Sequence, residues 1–388
     1  MKKTIPWKII FLIVLIIFVV GGYLAFNKMD NNPTSRQEEK NILNVKIPEE
    51  TLIDMSLEDK VGQMFMIGFW GIEPDYYINK MINQRNIGGV ILMKYNFDNQ
   101  EQAKNLINTL QQKSLDTDPG IPMFISVDQE GGLVSRVQLD GISELTAQSD
   151  IKSSEQAYTV ADKRAEELKQ LGININYSPV VDYVKNENSF LYERTFRGNI
   201  DSVGGFASEM VRGYQNNGLI SVIKHFLGHP DTNIDPHLSV LEADFTNQEI
   251  MDRTKIFRRV IADVSPYMVM TSHVIYKNID SETPCSLSKK CIQEWLRGEL
   301  RFGSGIVITD DMEMGAIQDK YSNAEAAVMA IKAGNDILLY TSTPEKQAEA
   351  YNAIIEAVNN NEINIEQIND SVLKILKLKK KIINNEIR

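Results

Sequence analysis

Eight short apolar runs alternate with helical segments along most of this 388-residue chain. The runs are rich in Ile, Val, Met and Phe, as is typical of strands buried on both faces of a parallel sheet. We predict strands at 64–69, 89–93, 123–127, 173–181, 219–226, 267–272, 306–309 and 336–340. We predict helices at 101–112, 155–171, 205–216, 247–264, 288–300, 324–333, 345–358 and 365–383. This alternation indicates an α/β chain with a single (β/α)8, TIM-barrel-like domain.

An open, doubly wound sheet is the alternative fold for the same alternation. To bind a nucleotide, such a sheet would need a glycine-rich phosphate turn directly after its first strand. The sequence at that point, Gly68-Phe69-Trp70-Gly71, does not supply one. We therefore favour the closed barrel.

Residues 1–26 have the pattern of an N-terminal signal anchor. Lys2, Lys3 and Lys8 precede the uncharged apolar stretch 9–26, which is close to the ~20 residues that span a bilayer as a helix. No small-residue cleavage site follows it. We predict a single-pass transmembrane helix at the cell membrane, with the rest of the chain extracytoplasmic. The alternative is a signal peptide whose cleavage leaves a secreted protein.

The remaining organisation follows from polarity. Residues 27–50 are polar and predict a flexible stalk, which leaves 51–388 for the barrel domain. The net charge of −11 argues against a nucleic-acid partner. The predicted N-terminal helix is the only expected membrane contact.

An exported domain permits a disulfide between Cys285 and Cys291, but their short separation leaves two free thiols equally open.

Charged residues gather at the predicted carboxyl ends of five successive strands, 123–127 to 306–309. In a parallel barrel these ends form one rim, and active sites lie there. The segment 224–237 alone holds three of the four histidines of the chain. The residues of interest are Asp128, Arg136, Asp182, Arg194, Lys224, His225, His229, Asp231, Asp235, His237, His273, Asp310 and Asp311. We therefore predict one active site at this rim.

A metal site is one hypothesis for the histidines. His225 and His229 are four positions apart, as on a zinc-binding helix, but Gly228 and Pro230 flank His229 and disfavour a helix there. A serine hydrolase is also disfavoured, because the chain lacks the nucleophile-elbow motif. We expect neither a metal nor another cofactor.

A carboxylate nucleophile with a histidine proton carrier fits these residues better. Asp310 ends a buried strand, where a fixed carboxylate could attack a carbon electrophile. Asp235 precedes His237 by two residues and could fix the tautomer of the imidazole, which would then protonate a leaving oxygen and activate water. Hydrogen bonds to a polyhydroxylated ligand could come from Asp128, Arg136, Arg194 and Lys224.

Five segments of the chain resemble motifs of glycoside hydrolase family 3, in its β-N-acetylhexosaminidase branch, and the likeness runs from about Leu57 to the end. The segments are 127–132, 178–182, 194–196, 224–237 and 308–314. The resemblance implies that Asp310 is the nucleophile and that His237, oriented by Asp235, is the general acid/base. It further implies that the terminal sugar is bound by Asp128, Arg136, Arg194, Lys224 and His225.

The activity implied by the resemblance is that of a retaining exo-β-N-acetylglucosaminidase. Its substrates would be aminosugar oligosaccharides from peptidoglycan or chitin-like fragments. The family usually has proline at Leu227, glycine at Pro230 and arginine at Leu133, so the loop near the acid/base departs from the pattern. A phosphorylase and a wall-glycan-binding protein without catalysis remain alternatives.

Overall fold

The computed structural model describes residues 48–234 and 240–387, and a closed barrel of eight parallel strands forms their centre. The strands are β1 (Phe65–Ile67), β2 (Gly89–Leu92), β3 (Phe124–Val127), β4 (Ile175–Asn176), β5 (Ile220–Phe226), β6 (Met268–Thr271), β7 (Ile306–Asp311) and β8 (Ile337–Tyr340). Their order around the barrel follows the chain, and β1 pairs with both β2 and β8. The predicted TIM-barrel-like fold is confirmed.

Helices follow the strands and cover the outside of the barrel. The α-helices are Pro48–Asp54, Leu57–Gln63, Tyr76–Arg85, Gln100–Leu115, Ser154–Gln170, Ile200–Asn216, Asn247–Val264, Gly315–Gln318, Asn323–Ala333, Pro344–Asn359 and Ile365–Ile383. Short 3-10 helices are Lys94–Asn96, Gln148–Asp150, Tyr192–Arg194 and Cys285–Leu287. The segment Lys290–Glu299 is wound as a π-helix.

The pattern of apolar residues explains why these segments take these forms. All seven residues of β5 are buried, because one face of the strand lies in the barrel interior and the other faces the helices. The last helix buries Ile368, Val372 and Ile375, which recur at helical spacing and form one apolar stripe. Pro344 opens the preceding helix at its first turn, where no backbone N–H is needed.

Two small two-stranded sheets lie beyond the barrel strands. Gln129–Gly131 pairs with Val134–Ser135 in a hairpin that follows β3. Leu241–Ala243 pairs with Val274–Tyr276, which follows β6. Both sheets extend loops that leave carboxyl ends of barrel strands.

The structure differs from the sequence-based expectation in a few places. The strand predicted at 173–181 is limited to β4, because the Ser178 N–H turns back to the Asn176 carbonyl at 2.9 Å and Pro179 has no N–H to donate to the ladder. The two seven-residue helices before β1 are too short to show a clear period, so they were not predicted. The first of them places residues 48–50 of the predicted stalk in a helix.

Cys285 and Cys291 form a disulfide, with their Cα atoms 5.3 Å apart. The predicted transmembrane segment, 1–26, and the stalk up to residue 47 lie outside the described residues. Across 48–234 and 240–387, each helix is too short or too polar to cross a bilayer.

Candidate active site

The carboxyl ends of β3, β5, β6 and β7 bring the predicted site residues together. Lys224 Nζ lies 2.7 Å from Asp128 Oδ1, and His225 Nε2 lies 4.0 Å from Asp310 Oδ2. His273 Nε2 is 2.9 Å from the carbonyl oxygen of Asp311. Residues far apart in the sequence therefore line one mouth of the barrel.

Asp310 is placed as a fixed, ionised carboxylate. Its Oδ1 accepts a hydrogen bond from the Asp311 N–H at 2.8 Å, and 17% of its side chain is exposed to the mouth. Burial by itself would raise its pKa, but His225, His273, the Asp311 N–H and Lys224 together hold the pKa of Asp310 at about 2. The side chain is therefore negatively charged at neutral pH and open to a ligand.

Asp182 orients two of the histidines from beneath the site. Its Oδ2 accepts hydrogen bonds from the His225 backbone N–H at 3.1 Å and from the His225 Nδ1 at 2.7 Å. Its Oδ1 accepts from the His229 backbone N–H at 2.6 Å and from the His229 Nδ1 at 3.1 Å. Burial would raise the pKa of Asp182, but these two histidines hold it well below its usual range. All four lone pairs of this buried carboxylate are thus in use.

This arrangement fixes the proton of His225. Burial lowers the pKa of His225, and the Asp182 carboxylate only partly offsets that effect. A neutral imidazole that donates from Nδ1 to Asp182 has a lone pair on Nε2, the nitrogen that faces Asp310. His225 can therefore accept a hydrogen bond from a hydroxyl in the mouth.

Asp182, His225 and His229 are also the described residues whose ligand atoms cluster as in a metal site, within 4.8 Å of one another. Both carboxylate oxygens of Asp182 already accept two N–H donors each. A cation bound there would displace these hydrogen bonds. The geometry therefore fits a structural hydrogen-bond cluster better than a metal centre.

Glu130 is a site residue that the sequence interpretation missed. The Nε and the second terminal nitrogen of Arg194 donate to its two carboxylate oxygens at 2.9 and 2.8 Å, and Lys224 Nζ lies 2.6 Å from Oε1. Burial would raise the pKa of Glu130, but these two cations hold it at about 2. Burial alone would lower the pKa of Lys224, but the charges of Asp128 and Glu130 raise it above its usual value. Glu130 thus fixes both basic side chains.

Arg136 has a buried side-chain nitrogen that lacks a hydrogen-bond partner among the described residues. Its backbone N–H donates to the Asp128 carbonyl at 3.3 Å, which ties the end of the hairpin to β3. The buried side-chain nitrogen is Nε. Because an unpaired buried N–H is costly, this atom is suited to bind an acceptor group of a substrate.

The loop after β7 is held by His273 and Asp311. The Nε2 of His273 carries the proton, because the Asp311 carbonyl 2.9 Å away can only accept. Its Nδ1 then accepts from the hydroxyl of Ser286 at 2.7 Å. Burial lowers the pKa of His273, which keeps this imidazole neutral. The carboxylate of Asp311 accepts from Thr341 Oγ1 at 2.5 Å and from the Glu313 N–H at 3.0 Å.

The carboxyl of Asp311 is expected to make the stability of the protein depend on pH. Burial, with the Glu313 and Asp310 charges, raises its pKa from 3.8 to about 7. The folded state therefore binds a proton that the unfolded state has released, so this group stabilises at low pH and its contribution falls as pH rises from about 4 to 7. The unfolding free energy of the wild type should therefore fall by up to about 4 kcal/mol over this range through Asp311, and Asp311→Asn should abolish that fall. Urea unfolding at several pH values measures it. An unchanged pH slope would contradict the assignment.

Glu130→Gln is expected to destabilise the fold by about 3 kcal/mol, because it removes the carboxylate that bonds Arg194 and one of the two carboxylates that bond the buried Lys224. The exposed pair Glu242–Lys277, at 2.7 Å, is the matched control. Glu242→Gln should have little effect, since solvent screens exposed charges. Equal effects of the two changes, measured by chemical unfolding, would show that burial of the Glu130 cluster carries no special weight.

Two of the predicted catalytic residues, Asp235 and His237, lie outside the described residues. The described part of their loop is anchored by Asp231, whose Oδ2 accepts from the N–H groups of Lys185 and Asn186 at 2.8 and 2.9 Å. Leu227 and Pro230, the departures noted in the sequence, lie in the same loop.

Comparison with known proteins gives a consistent result. The model of the glycosyl hydrolase family 3 N terminal domain matches residues 56–378. Beta-hexosaminidase A of Pseudoalteromonas piscicida is 30% identical over 79% of the chain. An uncharacterized secreted glycosyl hydrolase of Arthroderma benhamiae is 30% identical over 85% of the chain and 95% of its own length. The chain spans only 55% of the Pseudoalteromonas protein.

A solved structure supports the same relationship. The glycoside hydrolase family 3 beta-N-acetylglucosaminidase from a Paenibacillus species superposes with a TM-score of 0.79 and 34% identity. The match covers 84% of this chain and 63% of that one. The barrel and the sequence motifs thus point to the same set of relatives.

Proposed function

The chain belongs to glycosyl hydrolase family 3, and from that premise we propose that it is a retaining, exo-acting β-N-acetylglucosaminidase. Its substrates are aminosugar oligosaccharides from peptidoglycan or chitin-like fragments, and residues 51–388 form the catalytic domain. The observation that carries the proposal is the ionised Asp310 carboxylate at the mouth of the barrel, 4.0 Å from His225. The names of the Pseudoalteromonas and Paenibacillus relatives support the aminosugar specificity.

In this proposal the terminal sugar is bound by hydrogen bonds before any bond breaks. Asp128 accepts from sugar hydroxyls, and Lys224 holds that carboxylate in position at 2.7 Å. His225 accepts through Nε2, while Arg136 donates through its unpaired Nε. Arg194, whose fork is fixed by Glu130, supplies further N–H donors at the same side.

Asp310 then attacks the anomeric carbon from the face opposite the leaving group. His237, oriented by Asp235, gives its proton to the departing oxygen, and a covalent glycosyl–aspartate forms with inverted configuration. The same imidazole next removes a proton from water, which displaces Asp310 and inverts the carbon again. The two inversions restore the β configuration, and the reaction draws on no group beyond these side chains and water.

The proposal is tested with N-acetylglucosaminide substrates and with the product itself. Purified protein should release the aryl group from an aryl β-N-acetylglucosaminide far faster than from the matching β-glucoside. Proton NMR should show the β anomer of free N-acetylglucosamine before mutarotation. Appearance of the α anomer first would contradict a retaining mechanism.

The same preparation separates the two rival functions. A phosphorylase would require inorganic phosphate and would yield the sugar 1-phosphate, whereas the hydrolase turns over in phosphate-free buffer. A wall-glycan-binding protein would bind aminosugar oligomers without releasing any product.

We further propose that the enzyme acts outside the cytoplasm and is held at the cell membrane by residues 1–26. The charge pattern of those residues and the secreted relative from Arthroderma benhamiae support this location. Membrane fractionation of cells that express the full chain tests it. Recovery of the uncleaved chain in the cytosol would contradict it.

A further inference from the structure

Trp70 and Tyr95 form a stacked aromatic pair at the rim of the barrel mouth. Their ring centroids are 4.0 Å apart and their planes differ by 16°. Trp70 follows β1 and Tyr95 follows the neighbouring strand β2, so both lie at the carboxyl ends of the strands. Trp70 is 59% exposed, which is unusual for so large an apolar ring.

The backbone around this pair is held firmly in place. The buried side chain of Asn96 donates to the carbonyls of Phe69 and Gly71 at 3.0 and 2.6 Å. Gln102 donates to the Ile72 carbonyl at 2.7 Å, two residues after Trp70. These bonds join the loop after β1 to the turn after β2 and to the helix that follows it, so the exposed indole has a fixed support.

A short chain of contacts connects the pair to the catalytic strand. The hydroxyl of Tyr95 donates to the Thr341 carbonyl at 3.5 Å, and the Thr341 hydroxyl donates to Asp311 at 2.5 Å. Asp311 is the immediate neighbour of Asp310. Burial, with the Glu313 and Asp311 charges, raises the pKa of Tyr95, which agrees with this proximity.

We propose that Trp70, backed by Tyr95, is the platform that binds the sugar ring on the leaving-group side of the scissile bond. The proposal rests on the proposed function, and it specifies the substrate as an oligosaccharide in which the terminal sugar is β-linked to a second pyranose ring. Because the substituents of such a ring lie at its edge, its faces present C–H groups that pack on an indole. The terminal sugar occupies the mouth beside Asp310, so the next ring lies at the rim.

The test compares two substrates that differ only in whether they occupy the platform. N,N′-diacetylchitobiose carries a second sugar ring, whereas N-acetylglucosaminyl β-fluoride carries a leaving group too small to reach Trp70. Trp70→Ala should reduce kcat/KM for the disaccharide by roughly tenfold, mainly through KM. Its kcat/KM for the fluoride should stay within about twofold of the wild type. Trp70→Phe should recover part of the loss, because it restores a flat ring.

Leu115→Ala is the matched control, since Leu115 is an exposed apolar residue (41%) at the end of a helix that leads to the opposite side of the barrel. Leu115→Ala should leave kcat/KM unchanged for both substrates. If wild-type protein fails on both substrates, the proposed function is wrong. If wild-type protein cleaves both substrates, the function stands. The platform proposal is then wrong if Trp70→Ala lowers kcat/KM equally for both substrates, or lowers it for neither. Loss of a concentration-dependent dimer in Trp70→Ala, with unchanged kinetics, would assign the pair to a second copy of the chain instead.

Discussion

Asp310→Asn is expected to lower kcat for a β-N-acetylglucosaminide by roughly four orders of magnitude. The amide is nearly isosteric with the carboxylate and can still accept the Asp311 N–H, so the fold should be retained. What is lost is the negative charge, which the surroundings of Asp310 keep at neutral pH by holding its pKa at about 2. An amide cannot form the covalent glycosyl intermediate, so release of the aryl group should fall both before and during the steady state. Both rates are the quantities to measure.

Asp311→Asn is the matched control for this prediction. It removes one carboxylate from the neighbouring position of the same strand, but the Asp311 oxygens bond to Thr341 and to the Glu313 N–H. Its kcat should stay within about tenfold of the wild type. If the two variants lose activity equally, the effect reports disturbance of the loop after β7 and the nucleophile assignment fails.

Asp182→Asn is expected to have the second largest effect, on both stability and activity. The buried carboxylate accepts four N–H groups from His225 and His229, and an amide offers one oxygen in place of two. The change should cost about 3–5 kcal/mol of unfolding free energy. It should also lower kcat/KM by at least about a hundredfold, because the His225 ring loses its fixed tautomer and orientation.

Asp336 allows the two effects of the Asp182 variant to be separated. It is equally buried and bonds Arg297 at 2.6 Å and Lys374 at 2.9 Å, but it precedes β8 at the opposite end of the barrel. Asp336→Asn should lose comparable stability while the folded fraction keeps its kcat/KM. Normal kinetics in folded Asp182→Asn would show that Asp182 supports the fold alone.

The barrel could be predicted from the sequence because its strands are buried on both faces. Runs such as 219–226 and 306–309 are apolar almost throughout, and each is followed by a segment of helical spacing. β4 is the exception, since the Ser178 N–H turns back to the Asn176 carbonyl and Pro179 lacks an N–H, which limits the strand to two residues. A turn of this kind inside an apolar run leaves no periodic signal in a sequence.

The site could be predicted only in part, for a related reason. Asp310, His225 and Lys224 are polar residues at the ends of apolar runs, so they stand out. Glu130 does not, because its importance depends on Arg194, 64 positions away. Trp70 was likewise visible only as an ordinary aromatic residue until its exposure and its contact with Tyr95 were known.

Trapping the intermediate tests the central claim most directly. A fluorinated N-acetylglucosaminyl fluoride slows breakdown of the glycosyl–enzyme more than its formation, so labelled protein accumulates and can be digested for peptide mass mapping. We expect one equivalent of sugar on the peptide that contains Asp310, and no label on the Asp310→Asn variant. Active enzyme that carries the sugar on another residue, or turns over without any covalent adduct, would contradict the account.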